Sequence, residues 1–205
     1  MGKSTASAML RRLGLPLFDA DQVVHRLLAP GGGGVRRVAD AFPEVKTAVG
    51  AIDRGLLGQR VFGDAAALSR LEAILHPMVA AEEKRFVNLA RARRERLAVL
   101  DVPLLFETGG ERRCDYVLVV SAPPLIQRQR VLKRTGMTEI RLAAILRQQM
   151  PDREKRLRAD FVVPTGLGRN LTLRHLWRIV TLLQRSGTCH AGGAWRPVRR
   201  RCKRG

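Results

Sequence analysis

Aromatic side chains are scarce: six Phe, two Trp and one Tyr make up 4% of 205 residues. RNA-binding modules usually stack bases on aromatic platforms, so this scarcity argues against that class. Cysteine is equally thin. Cys114, Cys189 and Cys202 show no C-x-x-C spacing, which supports neither a zinc site nor a disulfide framework. A reducing, cytoplasmic compartment fits best. No stretch approaches the roughly 18–20 apolar residues of a membrane helix, and the N-terminus has no secretory apolar core of the usual length. Its Ser- and Arg-containing, acid-poor start up to Asp19 is superficially like a transit peptide, but a phosphate-loop helix fits the same residues better. Myristoylation needs Ser or Thr at position 6, and Ala6 stands there. Neither a membrane partner nor a nucleic-acid partner is expected.

Acid is also in short supply. Eighteen Asp and Glu face 38 Lys and Arg, a net charge of +20. The excess is spread over many segments, mostly as Arg. Its densest part is a tail in which Arg196, Arg199, Arg200, Arg201, Lys203 and Arg204 meet no acid. Residues 187–205 show no periodicity and are expected to be a disordered basic tail. A chain of 205 residues makes one domain, or one domain with insertions. An enzyme acting on polyanionic substrates would itself be basic.

What is present begins at the first residues, Met1-Gly2-Lys3-Ser4-Thr5. They match the back half of G-x-x-x-x-G-K-[ST], a phosphate-binding loop between a strand and a helix. In such a loop backbone N–H groups and the helix N-terminus face phosphate oxygens. The Lys reaches the β- and γ-phosphates, and the Ser or Thr hydroxyl ligates Mg²⁺. The plainer alternative is a helix capped by Ser4 or Thr5.

Further along, helices alternate with short apolar strands. Residues 4–13 read as a helix with Ala8, Met9 and Leu13 inward, ended by Gly14. Leu15-Pro16-Leu17-Phe18 reads as a strand ending in Asp19-Ala20-Asp21, followed by a helix to Leu28. The stretch 53–93 is helical, with Asp53 and Asp64 as N-caps and a break or kink at His76-Pro77. Its end, Glu82-Glu83-Lys84-Arg85, reads as a solvated face. Residues 97–102, 115–121 and 160–163 read as strands, and 170–185 as a closing amphipathic helix. Such alternation means a parallel sheet, and ligands bind at the carboxyl ends of its strands. Asp19, Asp21, Asp101 and, just beyond, Glu107 fall there. A carboxylate so placed can hold Mg²⁺ or accept a proton; Asp21 can equally cap the helix that follows.

The ordered series GKST, PLFDAD, LEAILHPMV, LDVPLLFETG, DYVLVVSAP, QRQRVLKR and ADFVVPTG resembles the dephospho-CoA kinase family from residue 1 to about 185. The resemblance implies a three-layer α/β P-loop kinase with a parallel sheet. Its core would span about 1–22, 94–124 and 151–186. A helical acceptor-binding insertion would span about 23–93, and a lid about 125–150. It implies transfer of the γ-phosphoryl of ATP to the 3′-hydroxyl of dephospho-CoA, with Mg²⁺, by a monomer or small homo-oligomer. Met1, Gly2, Lys3, Ser4 and Thr5 match the ATP loop, and Arg130 and Arg134 match lid arginines that approach the phosphates. Asp21 matches the base that accepts the ribose proton, and Asp19 its orienting neighbour. His76 matches the acceptor side. Asp101 matches the strand-end acid near the acceptor and the magnesium, which Ser4 also ligates.

The sequence departs from the family pattern in three places. The opening strand and the front of the phosphate loop are absent, so an internal start and a sheet lacking its first strand are expected. Pro164 stands where a polar residue often lies near the adenine. The basic tail has no family counterpart. Two rivals follow: another small-molecule or nucleotide P-loop kinase, and a non-catalytic protein, either a truncated pseudo-kinase or a basic RNA-binding protein.

Overall fold

In a computed structural model, the structure describes residues 2–133 and 136–185. Met1, Arg134 and the tail 187–205 lie outside the described residues. The chain divides into two units, residues 16–103 and residues 1–15 with 104–205.

The unit of residues 16–103 is mostly helical. Strand β1 (Leu17–Asp19) leads into α2 (Ala20–Leu28), the helix α1 (Lys3–Arg12) preceding both in the chain. Next come α3 (Val35–Ala41), a 3-10 turn at Pro43–Val45, α4 (Arg54–Val61), α5 (Ala65–Ala92) and β2 (Val99–Asp101). Strands β1 and β2 pair in parallel, with Leu17 opposite Val99 and Asp19 opposite Asp101. The core gathers Leu28, Val38, Phe42, Val45, Ile52, Leu57, Ala67 and Leu75. Asp53 and Asp64 cap α4 and α5 as expected: Asp53 accepts from the N–H groups of Gly55 and Leu56, and Asp64 from that of Ala67.

Three expectations change here. The helix does not restart at His76-Pro77; α5 runs through it. Proline withholds its own N–H from the ladder and its ring crowds the carbonyl four residues back, yet the helix continues. His76 and Pro77 are exposed, while Leu71, Ile74 and Leu75 before them pack into the core. Glu83 is buried, not solvated. It lies three residues before Phe86, hence on the same helix face, and Phe86 packs on Phe18 with ring centroids 5.6 Å apart. Asp21 does not cap α2. Asp19 does, its Oδ1 accepting from the Gln22 N–H at 3.1 Å, and Asp21 sits within the first turn.

The other unit opens with α1 (Lys3–Arg12). Its buried stripe is Ala6, Met9 and Leu10, and Ala8 is exposed. The spacing i, i+3, i+4 from Ala6 defines one face, and Ala8 falls off it. Gly14 follows the helix with φ +82°, as the C′ reading required. Strands β3 (Leu118–Ser121) and β4 (Phe161–Pro164) pair in parallel. Between them lie α6 (Pro124–Leu132), α7 (Glu139–Gln148) and α8 (Asp152–Arg158), and α9 (Arg169–Arg185) closes the fold. Helix α9 buries Thr172, Leu176 and Val180 and packs against α1 and β4. Phe106, Val117 and Val119 form a smaller core with Leu105, Cys114, Met150 and Ala159.

Strand β3 begins later than the composition of 115–121 suggested. The Val117 N–H donates to the Asp160 carboxylate at 2.7 Å, and that side-chain bond stands where a ladder bond would start. A single parallel sheet was expected. Among the described residues the strands form two parallel pairs, β1–β2 and β3–β4.

Candidate active site

The start of α1 is set by Gly2, which precedes it with φ +90°. L-residues avoid that region. A Cβ there would also stand 3.2 Å from the Thr165 side chain, so the position requires glycine twice over. No side chain caps the helix, which corrects the capping alternative for Ser4 and Thr5: the helix already begins at Lys3. Ser4 is exposed, and Lys3 and Thr5 are half-buried. No acid occupies the first turn. A helix start of this kind presents N–H groups and the positive end of the helix dipole to an anion.

Beside it lies a cavity of about 190 Å³ lined by Gly2, Thr5, Arg130, Thr165, Gly168, Arg169 and Thr172. Among the described residues, two arginines and no acid contribute to that lining. Thr165 is its hub and is buried. Its N–H and Oγ1 both donate to the Ser121 carbonyl, at 2.8 and 3.1 Å. Arg130 Nη2 donates to the Thr165 carbonyl at 2.8 Å. The guanidinium is therefore tied by its own bond, rather than being one more solvated arginine of α6. The hydroxyl of Thr172 donates to the carbonyls of Gly168 at 2.9 Å and Pro164 at 3.2 Å, fixing the entry to α9. Gly166 is needed as well: a Cβ there would meet Pro123 Cδ at 2.8 Å.

In the other unit, Asp19 and Asp101 occupy the last paired positions of β1 and β2. Neighbouring strands lie about 5 Å apart, so two carboxylates are presented side by side. Asp101 is buried, Asp19 is half-buried and Asp21 is exposed. Such a pair attracts a cation. Mg²⁺ takes one or two carboxylates and fills its octahedron with water and phosphate oxygens, so this donor set fits it. His76 is exposed on α5.

The structure thus brings Gly2, Thr5 and Arg130 to one cavity, and Asp19 and Asp101 to one register position. Sequence reasoning missed Thr165, Arg169 and Thr172 as cavity residues. The available signal was ADFVVPTG: a strand that ends in Thr-Gly just before a helix places backbone and hydroxyl at a strand's carboxyl end.

The family model for dephospho-CoA kinase matches residues 1–167. The chain belongs to the dephospho-CoA kinase family. A dephospho-CoA kinase of Rhodospirillum rubrum is 54% identical over 187 residues, covering 91% of this chain and 88% of that one. One of Paramagnetospirillum magneticum is 61% identical over 156 residues, 76% of this chain and 73% of the relative. Among solved structures, one from Thermus thermophilus aligns with a TM-score of 0.73 at 36% identity, covering 88% of this chain and 91% of its own. A dephospho-CoA kinase from Campylobacter jejuni, at 21% identity and a TM-score of 0.63, covers 89% of this chain and 91% of its own and shares the fold. The dephospho-CoA kinase family consists of ATP-using phosphotransferases that catalyse the last step of coenzyme A synthesis, and the α/β P-loop kinase fold is theirs. No described helix is long and apolar enough to cross a membrane.

Proposed function

We propose that the residues singled out above divide the work of phosphoryl transfer to dephospho-CoA as follows. Met1, Gly2, Lys3, Ser4 and Thr5 hold the ATP phosphates, with Lys3 neutralising charge that develops at the β–γ bridge. Arg130 and Arg134, from a lid of about 125–150, approach the same phosphates. Asp21 accepts the proton of the ribose 3′-hydroxyl as the new O–P bond forms and the bond to ADP breaks. Asp19 orients its surroundings. His76, Asp101 and the helical segment of about 23–93 serve the acceptor. Segments 1–22, 94–124 and 151–186 make the core. Ser4 and Asp101 hold Mg²⁺, which when bound supplies charge neutralisation on the phosphates. The chain works in the cytoplasm as a monomer or small homo-oligomer. Positioning and electrostatic stabilisation supply the rate, since the chemistry needs no covalent enzyme intermediate.

The observation that carries this reading is the acid-free cavity at the start of α1, with Arg130 and Arg169 in its wall. The test is an ADP-release assay with Mg·ATP and dephospho-CoA, run beside a panel of nucleoside acceptors. Turnover that requires dephospho-CoA and vanishes in Lys3→Ala is expected. Equal turnover with the other acceptors, or turnover that survives Lys3→Ala, would overturn it.

A further inference from the structure

Glu107 belongs to the LDVPLLFETG segment yet has no place in the roles above. It lies in the turns after Pro103 and is mostly buried, its side chain 16% exposed, as is that of Lys155 at 9%. One oxygen does all its bonding. Glu107 Oε1 accepts from Lys155 Nζ at 2.9 Å and from the Met150 N–H at 2.9 Å, while Oε2 is buried and meets no donor among the described residues. Met150 is the second residue after α7, where the segment of about 125–150 ends. Lys155 is in α8, which packs on β3 and is tied there by Ser121 Oγ donating to Asp152 Oδ2 at 2.7 Å. One carboxylate therefore joins the trailing end of α6–α7 to the helix fixed on β3. The leading end is fixed separately, where Gln127 Nε2 donates to the Ala122 carbonyl at 2.5 Å.

We infer that Glu107 is a positioning residue that fixes the trailing hinge of the lid: its carboxylate holds the Met150 backbone, and Lys155 holds the carboxylate. The inference rests on the reading of residues 125–150 as a lid. A carboxylate engaged by one oxygen to a backbone N–H and a buried ammonium is a fixed point, and a hinge needs one on its stationary side. Neither group touches the reacting atoms, so the effect is on how often the lid closes in the productive geometry.

The test separates this role from simple stabilisation. Glu107→Gln with Lys155→Met removes both charges but keeps an oxygen for the Met150 N–H. Glu107→Leu with Lys155→Met removes the charges and the acceptor together, and matched apolar replacement of a buried pair is often tolerated. Relative to the Gln pair, the Leu pair should lose kcat by at least about tenfold at a similar melting temperature. Trypsin cleavage at Arg128, Arg130, Lys133, Arg141 and Arg147, followed by mass spectrometry, gives an independent readout. A non-hydrolysable Mg·ATP analogue should slow those cuts in the wild type and the Gln pair, and not in the Leu pair.

Should the Leu pair not fold, Met150→Pro against Met150→Ala asks the same question, because only proline removes the N–H. Gln149 already has φ −96° and ψ 140°, the extended conformation that a following proline demands. Equal kcat and equal protection in the two members of a matched pair overturns the hinge. Wild-type cleavage that ignores the nucleotide, while dephospho-CoA is still phosphorylated, overturns the lid reading and the hinge with it, leaving the kinase assignment standing.

Discussion

The two parallel strand pairs end in opposite chemistry. Strands β1 and β2 finish on Asp19 opposite Asp101, two carboxylates in register. Strands β3 and β4 finish on Ser121 opposite Pro164, and the next residue, Thr165, carries Arg130 on its carbonyl. The backbone geometry is the same in both, a parallel ladder whose carboxyl ends open toward ligand. What differs is the last side chain. Carboxylates gather cations, whereas a hydroxyl network that holds a guanidinium gathers anions. A kinase needs both, and this chain builds each on a separate pair of strands.

Removing one member from each side of that contrast gives the largest effects. Lys3→Ala strips charge from the anion side, and Asp21→Asn removes the proposed proton acceptor. Each should lower kcat about 10²–10⁴-fold. Asp101→Asn should act differently and raise the Mg²⁺ concentration needed for half-maximal rate. Metal-titrated initial rates distinguish the three. An Asp101→Asn variant with an unchanged Mg²⁺ requirement would remove the metal from the acid side.

The Glu107–Lys155 pair is the next largest. Burial alone would raise the Glu107 carboxyl pKa. The bond from Lys155, helped by the Met150 N–H, outweighs it and leaves the group below its ordinary value of 4.5. A carboxyl lowered in the folded state adds stability that is fully present above the unfolded value and is lost as pH falls through the folded one. Urea midpoints should therefore hold steady at neutral pH and fall once the pH drops below about 4.5. Glu107→Gln strands the Lys155 charge and should cost about 3 kcal/mol or more at pH 7. Its deficit should narrow toward low pH, where the wild type loses the same carboxylate.

Gly2→Ala tests how tightly the anion side is built. The backbone at φ +90° and the 3.2 Å approach to Thr165 both oppose a methyl group. A loss of about 1–2 kcal/mol is expected, with a raised KM for ATP and little change in KM for dephospho-CoA. Calorimetry and paired titrations would show it.

The sequence carried much of this contrast. Asp19 and Asp101 were legible because each closes a short apolar run. Gly2 and Lys3 followed from a partial motif whose spacing reflects phosphate geometry, and Arg130 from the family resemblance alone. Thr165 and Arg169 were not legible: their role depends on Gly166 letting Pro123 approach, and on a hydroxyl reaching Ser121, contacts that span more than forty positions. Glu83 was misjudged because a run of charges looks solvated until Phe86 is known to face Phe18. The run through Pro77 shows the same limit. Local preference marked a break there, and packing of Leu71, Ile74 and Leu75 into the core overrode it.

The smallest effect lies at the surface of the helical unit. Asp64 caps α5 and pairs with Arg60, whose Nη1 stands 2.9 Å from Oδ2. The Ala67 N–H and then Arg60 hold its carboxyl below the ordinary 3.8. By the same sign rule its contribution is present at neutral pH and is lost as the pH falls below about 3.8. Asp64→Ser keeps an oxygen for the Ala67 N–H and removes the charge, so only a slight fall in melting temperature is expected. Salt separates it from the buried pair. At about 1 M NaCl the screening length falls to roughly 3 Å, and the Asp64→Ser deficit should shrink. The deficit of Glu107→Gln should persist, because Lys155 is shielded from the ions that would replace its partner. If salt erased both equally, the Glu107–Lys155 contact would be solvated in solution, and it would lose its claim to anchor a hinge.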